Sequence, residues 1–320
     1  MAVIGIDLGG TKLATAIFSR EGSIENKQVI ALDHRRGAAV GALITHQTQT
    51  LLAWAATRNL AIEALGVSVP GIYYAKTGRV WAPNIPGWDD YPLLAEMTTL
   101  AGQDVKVKID SDRACYILGE TWQGCAQGCK NAVFLAVGTG IGAGILIDGK
   151  VLRGHSDIAG AIGWLALDRP FRPAYEACGC FEYHASGTGL AKVARALLAE
   201  EPAYTGPLRQ KEPDDLTAKD VFAALDAGDA LAASVLNNSI AFWAMAVANV
   251  VSLFNPEMIV FGGGVFGPAA RFIDRIRDEA LRWGQPISMQ QVRLAVTRLG
   301  GRAGLYGAAR LAMTALESTR

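Results

Sequence analysis

The chain opens on apolar runs separated by glycine turns. "AVIGID" (2–7) is a β-branched run that stops at Asp7, and "KLATAIFS" (12–19) resumes the strand pattern after "LGGT". That arrangement predicts a β-hairpin. Apolar residues then recur at three- and four-residue intervals over 38–59, which predicts a helix. "IEALGVSVPG" (62–71) predicts a strand running into a glycine turn, and "VKVKID" (105–110) alternates as a strand does. "DRACYILGETWQG" (112–124) predicts a helix capped by Ser111 or Asp110.

Residues 132–148, "AVFLAVGTGIGAGILID", repeat the opening scheme of strand, glycine turn and strand. A long apolar helix at about 228–254 precedes "PEMIVFGGGVF" (256–266), a strand ending in three glycines. The charged, proline-containing segment 201–219 reads as a surface excursion. Two strand–turn–strand units predict a two-lobed α/β protein with a ligand between the lobes.

Composition narrows this picture. The 320 residues are 51% hydrophobic, enough for a substantial core and a division into two domains. Basic and acidic residues balance at 30 each, so neither nucleic acid nor an anionic membrane is expected as a partner. The N-terminus enters a strand without the basic stretch of a signal peptide. "IAFWAMAVANVVSLF" (240–254) is short for a membrane span and suits a buried helix. Five unevenly spaced cysteines argue against a disulfide framework and for a reducing, cytoplasmic setting.

The turns carry candidate chemistry. After Asp7, the first offers Gly9, Gly10, Thr11 and Lys12; the second offers Gly138, Thr139 and Gly140; the third is Gly262, Gly263 and Gly264. Glycines bring backbone N–H groups against an anion, and a hydroxyl and an ammonium add contacts. Each turn alone also has a plain reading, a tight hairpin that binds nothing. Neither the Walker pattern nor a G-x-G-x-x-G opening a helix is present.

The turns occur in order with "GVSVPG" (66–71), "APNIPGW" (82–88), "DSDRACYILGE" (110–120), "AVGTGIGAGIL" (136–146), "GCFEYHASG" (179–187), "VFGGG" (260–264) and "GLYGAARLA" (304–312). With these the sequence resembles, over nearly its whole length, the sugar kinases of the ROK family (repressor, open reading frame, kinase) in the actin/hexokinase/Hsp70 ATPase superfamily. The resemblance implies an α/β, two-lobed ribonuclease-H-like actin/hexokinase ATPase fold. A first lobe would span 1–110 and regain a C-terminal helix at about 301–320; the second would span 111–300. It further implies an ATP- and Mg²⁺-dependent, glucokinase-like kinase acting on a hydroxyl of a hexose or hexose derivative, and a homodimer or homotetramer.

Residue roles follow from the same resemblance. The family's "END" triplet falls on Asp110, Ser111 and Asp112, which makes Asp112 the general base. Its plain reading is a helix cap, and Asp110 is the competing candidate if the register slips by two. Asp7 would hold Mg²⁺ through water. Gly9, Gly10, Thr11 and Lys12 would border the β- and γ-phosphates, with Gly138, Thr139 and Gly140 closing on them, and Gly262, Gly263 and Gly264 would flank the adenosine. Asn84, Ser111, Asp112 and Glu182 would contact the sugar.

The pattern also breaks. Family members carry "GEIGH" and then C-x-C-G-x-x-G-C, a histidine and three cysteines around one structural zinc. Here "AGAIGW" (159–164) puts Ala161 at the glutamate and Trp164 at the zinc histidine, and Pro173 and Tyr175 stand at the first two cysteine positions. Only Cys180 keeps register, with Cys178, His155 and His184 nearby. The expectation is no structural zinc, a loop held by packing of Phe171, Pro173 and Tyr175, and a tryptophan in the core or against a substrate ring. Loss of the glutamate, with Ser111 for the triplet's asparagine, implies an altered sugar preference. Two other readings follow: a catalytically silent sugar- or nucleotide-binding regulator, and a kinase for a non-sugar polyol or amine. The family's repressors carry an additional N-terminal DNA-binding segment, which this sequence is not expected to have.

Overall fold

A computed structural model describes residues 2–317 and divides into two compact units. The first comprises the chain up to Lys130, residues 144–159 and the chain from Arg298 onward; the second comprises 131–143 and 160–297.

The first unit is built on a five-stranded sheet. Its elements are β1 (Ala2–Leu8), β2 (Lys12–Ser19), β3 (Ile24–Ala31), α1 (Ala38–Ala56), β4 (Ile62–Val69), a small hairpin of β5 (Ile72–Tyr74) and β6 (Arg79–Trp81), α2 (Leu93–Ala101), β7 (Lys106–Ser111) and α3 (Asp112–Gln123). The strand order is β3-β2-β1-β4-β7, with β1, β4 and β7 mutually parallel and β2 and β3 joined as antiparallel hairpin strands. β1 and β4 read as continuous apolar runs because both sheet faces are covered. Ile4, Ile6, Leu8, Leu65 and Val67 pack with α1 and α2 on one face. On the other face Val3, Ala16 and Phe18 meet Leu305, Ala309 and Ala312 of the C-terminal helix, Ala303–Glu317. Gly5 and Gly66 permit that approach: a Cβ on either would collide with the helix backbone. The tail of the expected C-terminal helix, 318–320, lies outside the described residues. β3 has no apolar run to announce it, since "IENKQVIA" shows only alternate positions to solvent as an edge strand.

The second sheet has the order β10-β9-β8-β11-β12. In chain order come β8 (Ala132–Val137), β9 (Ile141–Ile147), β10 (Lys150–Val151), α4 (Cys180–Ala185), α5 (Gly187–Glu200), α6 (Ala218–Asp226), α7 (Ala230–Phe254), β11 (Met258–Gly262), α8 (Ile273–Leu281), α9 (Pro286–Gln291) and β12 (Arg293–Val296). β8, β11 and β12 run parallel. α7 starts where the Asp229 carboxylate accepts from Ala232 N at 2.8 Å. It ends at left-handed Asn255, just before Pro256. Among the described helices it is the one long and apolar enough to cross a membrane, but it is the core helix of this unit, with Trp243, Ala244, Ala246 and Val247 fully enclosed.

The segment 201–219 is largely exposed, as its composition predicts, but Leu208 and Leu216 are buried, and Asp214 and residues 216–219 line a cavity. The Asp220 carboxylate accepts from both the backbone N–H and the hydroxyl of Thr217, which fixes the entry into α6.

Candidate active site

Three strand ends of the first unit place three polar residues in one row. Asp7 on β1 registers with Ser68 on β4, and Ser68 with Asp110 on β7. This is the carboxyl edge of the parallel strands, where open α/β sheets bind ligands. Asp7 Oδ1 accepts from the Ser68 hydroxyl at 2.8 Å. Gly304 at the start of the C-terminal helix sits directly on this carboxylate, where a Cβ would collide with it. Burial, and secondarily the Asp112 carboxylate, push the Asp7 pKa up to about 6 against the relief from Ser68 and Lys12. A buried carboxylate so short of compensating charge fits a divalent cation.

The two acids of "DSD" have different fates. Asp110 is 4% exposed; Arg153 lies 2.6 Å from its Oδ2, and Ser111 N donates to its Oδ1 at 2.8 Å. Burial still raises its pKa to about 6. Asp112 begins α3. Its Oδ1 accepts from Arg113 N at 2.7 Å and its Oδ2 from the Tyr116 hydroxyl at 3.2 Å. Burial raises its pKa as well, opposed by Arg113 and Tyr116. The helix cap is Ser111, whose Oγ accepts from Ala114 N at 3.3 Å. The plain reading of Asp112 as a cap therefore falls to its neighbour, and the Arg113 guanidinium donates to the Gly71 carbonyl at 3.2 Å.

The first glycine turn closes on itself, with Gly9 N donating to the Lys12 carbonyl at 2.9 Å. Gly10, Thr11 and Lys12 are exposed. Asn84 is brought to this turn: a Cβ on Gly10 would lie 3.5 Å from its Cβ.

In the second unit, the turn Gly138–Gly140 docks on the start of α5. Gly187 N donates to the Gly138 carbonyl at 2.8 Å, and the Thr188 hydroxyl to the Thr139 carbonyl at 2.8 Å. Glu182 backs the same turn, its Oε2 accepting from Ile141 N at 2.6 Å. A Cβ on Gly140 would stand 2.6 Å from that oxygen, so a larger residue there would displace the Glu182 carboxylate. Burial raises the Glu182 pKa.

Gly138, Thr139, Gly187, Thr188 and Gly264 line a cavity of about 1030 Å³, whose far wall includes Leu216, Lys219 and Phe222. Arg195 holds the rim, donating to the Pro213 carbonyl at 3.2 Å. Of the three glycines 262–264, only Gly264 faces this space. Gly262 is packed against the Phe134 ring, and Gly263, at φ 89°, against the Val137 backbone. The wall from α5 and α6 escapes sequence reasoning; "ASGTGL", with Ser186 capping α5 just before two glycines, is the signal that points to it.

Among the described residues no group of three or more His, Cys, Asp or Glu side chains is gathered as a metal site, and the loop 164–184 makes other contacts. Trp164 is 58% exposed, outside the core where its chemistry predicts it. His184 Nε2 and the Tyr175 hydroxyl lie 2.8 Å apart, and the Asp168 carboxylate accepts from the same hydroxyl at 3.0 Å. The His184 ring stacks on Phe242 at 4.2 Å, and burial lowers its pKa to about 4, so it is neutral. Cys178 Sγ lies 3.7 Å from Lys192 Nζ, and Cys180 is buried. The expected packing by three residues holds in part: Tyr175 is buried and Phe171, though exposed, meets its ring edge-on at 6.0 Å, while Pro173 is exposed and Arg172 pairs with Asp168 at 3.1 Å.

The sequence profile of the ROK family matches residues 3–315. A glucokinase of Halalkalibacterium halodurans is 34% identical over 95% of this chain and 92% of its own. Among solved structures, a ROK hexokinase from Thermus thermophilus has a TM-score of 0.81 at 28% identity, covering 99% of this chain and 100% of that one. A ROK-family glucokinase from Streptomyces griseus, solved with glucose and AMPPNP, has a TM-score of 0.73 at 28% identity, covering 98% of this chain and 100% of that one. The chain with Asp7, Asp112 and the glycine-lined cavity belongs to the ROK family.

Proposed function

We propose that this ROK-family, ATP-dependent sugar kinase transfers the γ-phosphoryl group of ATP to a hydroxyl of a hexose or hexose derivative, with Asp112 as general base. The observation that carries the assignment is the division between the two neighbouring acids. Asp110 is ion-paired with Arg153, whereas Asp112 forms no ion pair among the described residues and accepts from a backbone N–H and a neutral phenol. Asp112 takes the hydroxyl proton as the sugar oxygen attacks the γ-phosphorus and ADP departs. Its burial raises its proton affinity, which suits a group that must accept a proton.

The cavity beside Gly138, Thr139 and Gly264 suits the nucleotide. The amino end of α5 adds the positive field of its helix dipole, which phosphates favour. Gly9, Gly10, Thr11 and Lys12 supply further phosphate contacts. Asp7 would hold Mg²⁺ through water, and the ion when bound neutralises charge building on the phosphates.

Asn84 and Glu182 are the sugar contacts of this reading. Ala161 and Ser111 offer no carboxylate or amide, so the preferred sugar is one that demands fewer polar partners, or brings an apolar substituent, at that end. The test is incubation with Mg-ATP and single sugars, with products identified by mass spectrometry. Formation of a sugar phosphate supports the reading; ADP release independent of any sugar contradicts it.

A further inference from the structure

Asp112 is the first residue of α3, and a carboxylate at a helix start has a soft terminal torsion. Its bond to Arg113 N restrains one oxygen. The second restraint comes from Tyr116, four residues on and therefore on the same helix face, whose hydroxyl donates to the other oxygen at 3.2 Å. We infer that Tyr116 is a positioning residue for phosphoryl transfer, its phenolic O–H holding the Asp112 carboxylate in one orientation toward the acceptor hydroxyl. The inference rests on the reading of Asp112 as the base.

The chemistry of the surroundings suits this role. The charged or titratable groups around the phenol are Asp112, Asp7 and the Cys115 thiol, with the Asp112 carboxylate acting most strongly on it. Their negative field keeps the phenolic proton in place, so Tyr116 acts as a donor and does not compete as a base. A lysine or arginine in its place would pair with Asp112 as Arg153 pairs with Asp110, and would depress its basicity. A neutral donor fixes the carboxylate while leaving it able to take a proton.

The test is Tyr116→Phe, which keeps the ring and removes only the oxygen, measured beside Asp112→Asn. The expected result is a kcat reduced about tenfold, near what one hydrogen bond to a charged group contributes. KM for sugar and for Mg-ATP should stay within about twofold, because the substitution keeps the ring and its packing and removes only the donor to Asp112. A raised sugar KM at unchanged kcat would make Tyr116 a wall of the sugar pocket and overturn the inference. So would an unchanged kcat, with or without a lower Tm. If Asp112→Asn retains turnover, the base assignment itself fails; if it is silent while Tyr116→Phe turns over normally, only the positioning role fails.

Discussion

The Asp110 carboxylate lies 2.6 Å from the Arg153 guanidinium, and this pairing separates two acids that a two-residue register slip would exchange. Asp110→Asn would leave a partly buried guanidinium without its counter-ion. Because burial already disfavours the Asp110 charge and the Arg153 side chain is 33% exposed and can rehydrate, stability should change by no more than about 1 kcal/mol while folded enzyme keeps most of its turnover. Asp112→Asn should instead retain the Tm and lose roughly 10²–10⁴-fold in kcat. Thermal unfolding and coupled ADP assays on both variants check the pair.

Asp7 predicts a trade of stability for function. Its folded pKa, about 6, stands above the ordinary 3.8, so the folded protein binds this proton more tightly than the unfolded chain. The stabilisation is present at low pH and is lost as pH rises from about 3.8 through about 6. At neutral pH without Mg²⁺, Asp7→Asn should therefore be more stable, by on the order of 2 kcal/mol, and much less active. Denaturant unfolding at about pH 4.5 and about pH 7.5 should show a clearly larger advantage at the higher value.

Much of this was legible in the chain. The strand–glycine–strand units are where "AVIGID" and "AVFLAV" place them, and Ser111 caps α3. The edge strand β3 was not, because an edge needs no apolar run. The cavity wall was hidden because 201–219 has the composition of a loop and stays largely exposed, and only tertiary packing brings Leu216 and its neighbours to the cavity. Tyr116 and Arg153 were equally silent. One reads as an ordinary helix residue, and the other lies 43 positions from the acid it pairs.

The cavity makes its own prediction. A Cβ on Gly264 would meet nothing within 4 Å, so Gly264→Leu should fold normally and project into the space lined by Thr139 and Thr188. KM for ATP should rise at least about tenfold with the Tm nearly unchanged, since bulk in a binding site costs affinity without straining a core. Nucleotide titration by calorimetry reads this directly.

The Asp168–Tyr175–His184 arrangement predicts acid sensitivity rather than chelator sensitivity. With His184 at about 4 when folded and 6.5 when free, the unfolded chain takes up the proton first, and stability falls as pH drops through that window. Tyr175→Phe should cost about 1–2 kcal/mol by stripping a buried ring nitrogen and a carboxylate of their shared partner. A chelator should leave the Tm where it was, and scanning calorimetry with and without it decides the point.

The most direct test of the central claim is sugar-dependent ADP release from Mg-ATP across hexoses, amino sugars, N-acetyl sugars and ketoses, with Asp112→Asn in parallel. Turnover with at least one sugar, lost in the variant that still folds and binds ATP, is the predicted result. Turnover that survives in Asp112→Asn, or silence across the panel from protein that binds ATP, would contradict it.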